Sequence, residues 1–204
     1  MTIKLDDIGR RFNQEWIFRG LNYQFESGGK YAVLGPNGSG KSTLLSVILG
    51  NLTPSAGHIN YQLDKEVPVE QIYKHVSFAA PYLDLIEEFT LQETIDFHFQ
   101  FKQLYPGLSK RDVLAQLGLG SSEDKPLKYF SSGMKQRTKL VLACCTADPL
   151  LLLDEPGSNL DAQGLAWYQE LIAAFSEKKT VIVGSNQEFE YSFCNHFVQI
   201  KDYK

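Results

Sequence analysis

The spacing of hydrophobic residues changes along the chain and predicts two kinds of sheet. Apolar and polar residues alternate over residues 3–8 and again over 21–25, as in half-buried antiparallel strands. A short apolar strand is predicted at residues 31–34. Longer apolar runs at 150–153 and 180–183 are typical of parallel strands buried on both faces. The pattern therefore predicts an α/β protein with a mainly parallel sheet and an N-terminal antiparallel β subdomain.

The middle of the chain has a helical pattern instead. Thr90 and Glu93 are spaced as a capping box, in which hydroxyl and carboxylate satisfy the first amides of a helix. A second short helix is expected to begin at Ser109. The apolar residues of the first helix, including its phenylalanines, are expected in the core: Leu91, Ile95, Phe97, Phe99, Phe101 and Leu104. We interpret residues 1–204 as one domain with a small helical insertion at about 82–128.

Composition narrows the possible functions. The 204 residues can bury one good core, and a formal net charge of −4 provides no basic surface for nucleic acid. Nucleic acid is therefore not an expected partner. No apolar run reaches the ~18 residues needed to cross a bilayer, and no signal-like segment opens the chain, which predicts a cytoplasmic location. The three cysteines and four histidines show no metal or nucleophile spacing, so structural roles are expected.

Residues 35–43, Gly-Pro-Asn-Gly-Ser-Gly-Lys-Ser-Thr, fit the phosphate-loop pattern G-x4-G-K-[ST]. The glycines let successive backbone N–H groups point at phosphate oxygens, and the dipole of the following helix also favours phosphates. Lys41 is expected to contact the β- and γ-phosphates, and Ser42 to ligate Mg²⁺. The loop therefore predicts binding of a nucleoside triphosphate through Gly35, Asn37, Gly38, Ser39, Gly40, Lys41, Ser42 and Thr43.

Two carboxylates, Asp154 and Glu155, follow the apolar run at residues 150–153. Open α/β sheets bind their ligands at the carboxyl ends of strands. Asp154 is expected to hold Mg²⁺ through its water shell, in the Walker B role. Glu155 is then placed to orient or deprotonate an attacking water. The alternative is that the two carboxylates belong to an ordinary polar turn. The phosphate loop upstream argues against that alternative.

A second anion site is predicted at residues 130–137, Phe-Ser-Ser-Gly-Met-Lys-Gln-Arg, which we call the signature segment. Two hydroxyls and a glycine at a helix start favour an anion through capping and the helix dipole. Only the phosphate loop combines its lysine with the two carboxylates Asp154 and Glu155. The two anion sites are therefore expected to complete each other in a dimer.

The chain resembles the ATP-binding subunits of ABC transporters over essentially its whole length. Four segments in order carry the resemblance: residues 35–43, the signature segment, residues 150–156, and Ser158-Asn-Leu-Asp161, which is similar to the D-loop. The resemblance implies that two such domains sandwich two ATP molecules. It implies that Ser131 and Gly133 touch the partner's γ-phosphate, that Asp161 of the D-loop is also a nucleotide-binding residue, and that Phe12 stacks on adenine. Trp16 is an alternative for the adenine contact, and burial of Phe12 in the core is the alternative to any ligand role.

The chain departs from the family pattern at functional positions. Pro81 stands where the resemblance expects the Q-loop glutamine, and proline has no side-chain oxygen or N–H. Asn186 stands where a histidine is expected, and it can donate a hydrogen bond to phosphate but cannot shuttle a proton. The signature segment has Ser132, Gly133 and Met134 where the family has two glycines and then Gln. Slow hydrolysis is expected, with Glu155, Lys41 and Asn186 as catalytic residues.

The resemblance implies an ATPase subunit that powers a membrane transporter, with exporter type favoured. The permease would be a separate transmembrane chain, docked at residues 82–86 and Phe89. The alternative is that these apolar residues cover the insertion's own core. The subunit would then lie in the cytoplasm, peripheral at the inner face of the membrane. Two alternatives remain: a nucleotide-gated binding module with little turnover, and a soluble ABC ATPase unconnected with transport.

Overall fold

The computed structural model describes residues 1–204 and contains two sheets. The strands are β1 (Thr2–Phe12), β2 (Glu15–Phe25), β3 (Lys30–Leu34), β4 (Ala56–Gln62), β5 (Glu66–Val67), β6 (Val76–Ala79), β7 (Leu150–Asp154), β8 (Thr180–Ser185) and β9 (His196–Gln199). The helices are α1 (Lys41–Ile48), α2 (Leu91–Phe101), α3 (Lys110–Leu117), α4 (Ser132–Cys144), α5 (Ala162–Phe175) and α6 (Glu188–Tyr191). Short 3₁₀ turns lie at Val69–Lys74, Gly120–Ser122, Leu127–Tyr129 and Ile200–Tyr203.

The larger sheet is parallel throughout, in the order β6-β7-β8-β3-β9. The smaller sheet is antiparallel, in the order β2-β1-β4-β5. This arrangement confirms the predicted α/β fold with its N-terminal antiparallel subdomain. The apolar pattern did not predict β5, β6 and β9. Two of them are the edge strands of the parallel sheet, and none is longer than four residues.

Alternate residues of the parallel strands face two separate hydrophobic clusters. In β7, Leu151 and Leu153 join a cluster with α4, α5 and the two insertion helices. Leu150 and Leu152 face the opposite cluster, which contains α1 and the antiparallel sheet. This two-sided burial explains the continuous apolar run in the sequence. Cys144, Cys145 and Cys194 are buried and unbonded to one another, as expected for structural thiols.

The prediction that the phenylalanines of α2 lie in the core was partly wrong. Leu91 and Ile95 are fully buried, but Phe97 and Phe101 are 43% and 74% exposed. The helix packs on its neighbours through only one side, and the outward side carries the two aromatic residues. Phe97 and Phe101 pack against each other, with ring centroids 5.2 Å apart, and Phe89 lies 5.5 Å from Phe97. Periodicity identified an aromatic row without showing that it faces outward.

Candidate active site

The phosphate loop connects β3 to α1 at the carboxyl edge of the parallel sheet. Gly40 has a φ of 110°, and a Cβ there would lie 2.6 Å from Ile17 Cγ2, so no other residue fits without strain. The first turn of α1 contains no acidic residue, and its N-cap makes no side-chain hydrogen bond. The positive end of the helix dipole is therefore left for an anion.

The side chain of Lys41 lies inside the phosphate loop and contacts its backbone. The side chain is only 4% exposed, and its Nζ donates to the carbonyls of Gly35 and Pro36 at 2.9 and 3.3 Å. No carboxylate forms a salt bridge with it. Ser39 Oγ is also buried without a hydrogen-bond partner. A buried ammonium that contacts only carbonyls and no carboxylate directly suits a polyphosphate ligand.

Parallel strand register brings the acidic residues to the same edge. Asp154 at the end of β7 pairs with Gly184 of β8, and β8 lies beside β3, from which the phosphate loop leaves. Glu155 has a φ of 43°, unusual for a residue with a side chain, and its N–H donates to the Gly184 carbonyl at 2.9 Å. Strained backbone held by a neighbouring strand is characteristic of functional sites, where it fixes the direction of a side chain.

The two oxygens of the Asp154 carboxylate are in different situations. Oδ2 accepts a hydrogen bond from the Tyr82 hydroxyl at 2.9 Å, whereas Oδ1 is buried and accepts none. Burial raises the pKa of Asp154, and the nearby hydroxyls of Ser42 and Tyr82 lower it, with burial the larger effect. The Ser42 hydroxyl lies close to the carboxylate but makes no hydrogen bond of normal geometry to it. The unsatisfied Oδ1 and the Ser42 hydroxyl are hard oxygen donors, which fits Mg²⁺.

No group of three or more His, Cys, Asp or Glu residues is arranged to hold a metal ion. Mg²⁺ keeps several waters and uses one or two protein ligands together with substrate phosphates. The hydroxyl of Ser42 and the carboxylate of Asp154 are the oxygen donors that such a site would use.

Asn186, which follows β8, faces the phosphate loop from the other side of the site. Its Nδ2 donates to Asn37 Oδ1 at 3.2 Å. These two residues and Glu155 line one cavity of about 360 Å³, together with Gly157, Ser158, Gln187, Phe189 and Glu190. The structure thus brings the predicted catalytic Glu155 and Asn186 to one space beside the phosphate loop.

Glu190 is a residue of this region that the sequence analysis missed. The side chain is buried, and its carboxylate accepts hydrogen bonds from the Gly157 N–H at 2.7 Å and from the Ser185 hydroxyl. Burial raises the pKa of this carboxyl. Glu190 therefore ties the loop after β7 to the loop after β8. Nothing in the sequence distinguishes it from other exposed-looking glutamates near a helix start.

The signature segment forms a separate cavity of about 300 Å³. Ser131 is the N-cap of α4, and its hydroxyl accepts from the Met134 N–H at 3.2 Å. At Gly133 a Cβ would lie 2.9 Å from the Asn159 carbonyl, so the D-loop packs closely here. Asp161 caps α5 by accepting from the Gly164 N–H at 2.7 Å. Within one chain these residues line a different cavity from Glu155 and Asn186.

Phe12 ends β1 and is 46% exposed, so the alternative of a buried core residue is wrong. The Arg10 guanidinium lies 4.6 Å from the centre of its ring. Trp16 on β2 is half-buried, with Arg11 at 5.6 Å. Ile17, beside Trp16, is the residue that approaches Gly40 most closely. The hairpin formed by β1 and β2 thus adjoins the phosphate loop, and both aromatic residues stay candidates for the adenine contact.

The parallel sheet, the phosphate loop and the paired carboxylates at its edge define a P-loop ATPase. The family profile described as ABC transporter matches residues 18–158. The chain belongs to the ABC transporter family as an ATP-binding subunit, and members of this class are ATPases. No helix is both long enough and apolar enough to cross a membrane.

Two curated relatives and one solved structure show the extent of the likeness. The lantibiotic transport ATP-binding protein SrtF of Streptococcus pyogenes is 30% identical over 202 residues, covering 96% of this chain and 85% of SrtF. The cytochrome c biogenesis ATP-binding export protein CcmA of Rhizobium etli is 29% identical, covering 92% and 89%. The dimeric ATP-binding cassette MJ0796, in a post-hydrolysis state with ADP and Pi, has the same fold. Its TM-score is 0.82 at 22% identity, covering 97% and 94%.

Proposed function

We propose that this ATPase powers an exporter-type membrane transporter whose transmembrane permease is a separate chain. The observation that carries the proposal is the meeting of the phosphate loop, Asp154 and Glu155 at one sheet edge, in a chain related to SrtF and CcmA. Those relatives are named for lantibiotic transport and for export. Residues 1–204 then work as one domain, located in the cytoplasm and peripheral at the inner face of the membrane.

In this proposal each site binds ATP together with Mg²⁺. The phosphate loop and Lys41 would hold the phosphates, and Ser42 and, through water, Asp154 would hold the cation. The cation neutralises phosphate charge and Glu155 orients the attacking water. ATP bound at one protomer is completed by Ser131 and Gly133 of a second copy. The residues of the signature segment line a cavity separate from the one that contains Glu155 and Asn186, which supports this composite site.

Glu155→Gln is expected to trap an ATP-dependent dimer, because binding survives while the water is no longer activated. Light scattering should report a monomer without nucleotide and a dimer with ATP and Mg²⁺. Adding Ser131→Ala should weaken that dimer. The matched control adds Ser109→Ala, since Ser109 also caps a helix but lies in the insertion. Each change costs ~1 kcal/mol of helix capping.

Equal dimerisation by the Ser131→Ala and Ser109→Ala forms would contradict the composite site. So would a dimer structure in which Ser131 lies far from the opposing phosphate. If Glu155→Gln dimerises only when the permease is added, closure depends on the membrane partner.

The insertion provides a docking surface for the permease. A groove of about 320 Å³ is lined by Leu85, Ile86, Phe89, Phe97, Phe101 and Leu142, together with the polar residues Asp84, Thr94, His98 and Lys102. Ile86 and Phe97 are 45% and 43% exposed, and Phe101 is 74% exposed. An exposed groove with a mainly apolar lining fits the apolar face of a helix from the membrane subunit.

Ile86→Glu or Phe97→Glu is expected to release the permease. A buried apolar anchor is worth ≥ ~2 kcal/mol, which corresponds to roughly 30-fold in affinity. Co-purification with the permease measures the loss, and calorimetry should show unchanged ATP binding. Phe197→Glu is the control, because Phe197 is 53% exposed on β9, at the opposite edge of the parallel sheet. Retention of the permease by both groove variants would place the interface elsewhere.

A further inference from the structure

Tyr82 links the surface of the insertion to the metal-binding carboxylate. It follows β6, its side chain is 54% exposed, and its ring packs near Phe78 with centroids 6.3 Å apart. The hydroxyl nevertheless donates at 2.9 Å to Oδ2 of Asp154, a residue that is 1% exposed. A half-exposed tyrosine therefore reaches a buried carboxylate that lies 72 residues away in sequence.

This hydroxyl remains a donor at neutral pH. Burial and the nearby carboxylates of Asp154 and Glu155 raise the pKa of Tyr82 far above its ordinary value. With Oδ2 of Asp154 held by the phenol, the carboxylate has one fixed orientation and offers the unsatisfied Oδ1 to a cation or its water. Groups that hydrogen-bond to a metal-binding carboxylate set its direction and contribute to metal affinity.

The backbone around Tyr82 is also fixed. Lys139 of α4 is 9% exposed, and its Nζ donates to the Pro81 carbonyl at 2.7 Å and to the Leu83 carbonyl at 3.1 Å. Both neighbours of Tyr82 are thereby attached to one buried lysine. Pro81 itself sends no polar side chain toward the site, so the Tyr82 hydroxyl is the group that this segment supplies to Asp154.

We propose that Tyr82 is a positioning residue of the ATPase site, whose hydroxyl orients Asp154 for the divalent cation. The proposal rests on the proposed metal role of Asp154. It assigns to Tyr82 no contact with the nucleotide and no proton transfer. The hydroxyl acts only through the carboxylate.

Binding of Mn²⁺ tests this without relying on hydrolysis. Electron paramagnetic resonance counts free Mn²⁺ during titration of the chain with a non-hydrolysable ATP analogue. Tyr82→Phe keeps the ring and removes one oxygen, and it should weaken Mn²⁺ binding by roughly tenfold, within the range typical of such partners. Nucleotide binding in EDTA should be unchanged. Tyr73→Phe is the control, since Tyr73 is 62% exposed and its hydroxyl makes no hydrogen bond.

Asp154→Asn separates the two proposals. Loss of Mn²⁺ affinity in Asp154→Asn and in Tyr82→Phe, but not in Tyr73→Phe, supports the inference. Loss in Asp154→Asn alone leaves the metal site correct and overturns the role of Tyr82. Tighter Mn²⁺ binding by Tyr82→Phe overturns it as well, because the hydroxyl would then compete with the cation. Wild-type Mn²⁺ binding by Asp154→Asn would remove the metal site and the inference together.

Discussion

Replacing Lys41 by Ala is expected to abolish ATP binding at millimolar nucleotide while the fold survives. The buried ammonium touches only two carbonyls in the structure, so its charge is available to the β- and γ-phosphates. A hydrogen bond to a charged group is worth ~1.5–3 kcal/mol, or roughly 10- to 150-fold in affinity. Lys41 is expected to make more than one such contact with bound phosphate, which would put the loss beyond the lower end of that range.

Calorimetry with ATP and Mg²⁺ measures the loss, and circular dichroism follows the fold. Lys41→Met is a second form that keeps most of the apolar stem and should lose binding equally. Lys178→Ala is the matched control, because Lys178 is exposed just before β8, at the opposite end of the sheet from the phosphate loop. Tight ATP binding by folded Lys41→Ala would show that the nucleotide site lies elsewhere.

The main part of the site was predictable from short-range pattern and one rule of parallel sheets. The run at residues 150–153 predicted a buried strand, and the carboxyl ends of such strands meet at one edge. Asp154 and Glu155 therefore had to lie near the ligand edge of the sheet. The structure adds that Asp154 is paired with Gly184 and that Glu155 is held at a positive φ. These details depend on the neighbouring strand.

The contacts that sequence reasoning missed join residues far apart in the chain. Glu190 reaches Gly157, and Tyr82 reaches Asp154, so neither contact is implied by a local pattern. The exposure of Phe97 was missed for a different reason. Helical spacing shows which residues share a side of a helix, but not whether another element covers that side. An uncovered aromatic side is therefore recognised only once the packing of α2 is known.

The largest expected effect on chemistry is the loss of hydrolysis in Glu155→Gln. Removing one preorganised group near developing charge costs ~10²–10³ in rate. Glu155 faces the same cavity as Asn186, and the backbone strain at its position fixes its direction. Phosphate release by Glu155→Gln should fall to the level of a reaction without protein, while the wild type turns over slowly but measurably.

The slow wild-type rate is expected because two helpers differ from the family pattern. Asn186 donates to Asn37 in the structure and can donate to phosphate, but it cannot carry a positive charge. Pro81 contributes only its carbonyl, which is occupied by Lys139. The two losses need not add, because groups that act as a unit are strongly non-additive. Lys41 and Glu155 still provide the main electrostatics.

Asn186→His and Pro81→Gln test this account directly. At least one of them should raise phosphate release above the wild type, measured with Glu155→Gln as the blank. Pro81→Gln keeps the carbonyl that accepts from Lys139, so the segment that carries Tyr82 should stay in place. Coincidence of wild type and blank, even with the permease present, would favour a nucleotide-gated module that does not cycle. A fast wild type slowed by Asn186→His would show instead that Asn186 is an adapted catalytic residue, because its amide would then serve the γ-phosphate better than an imidazole does.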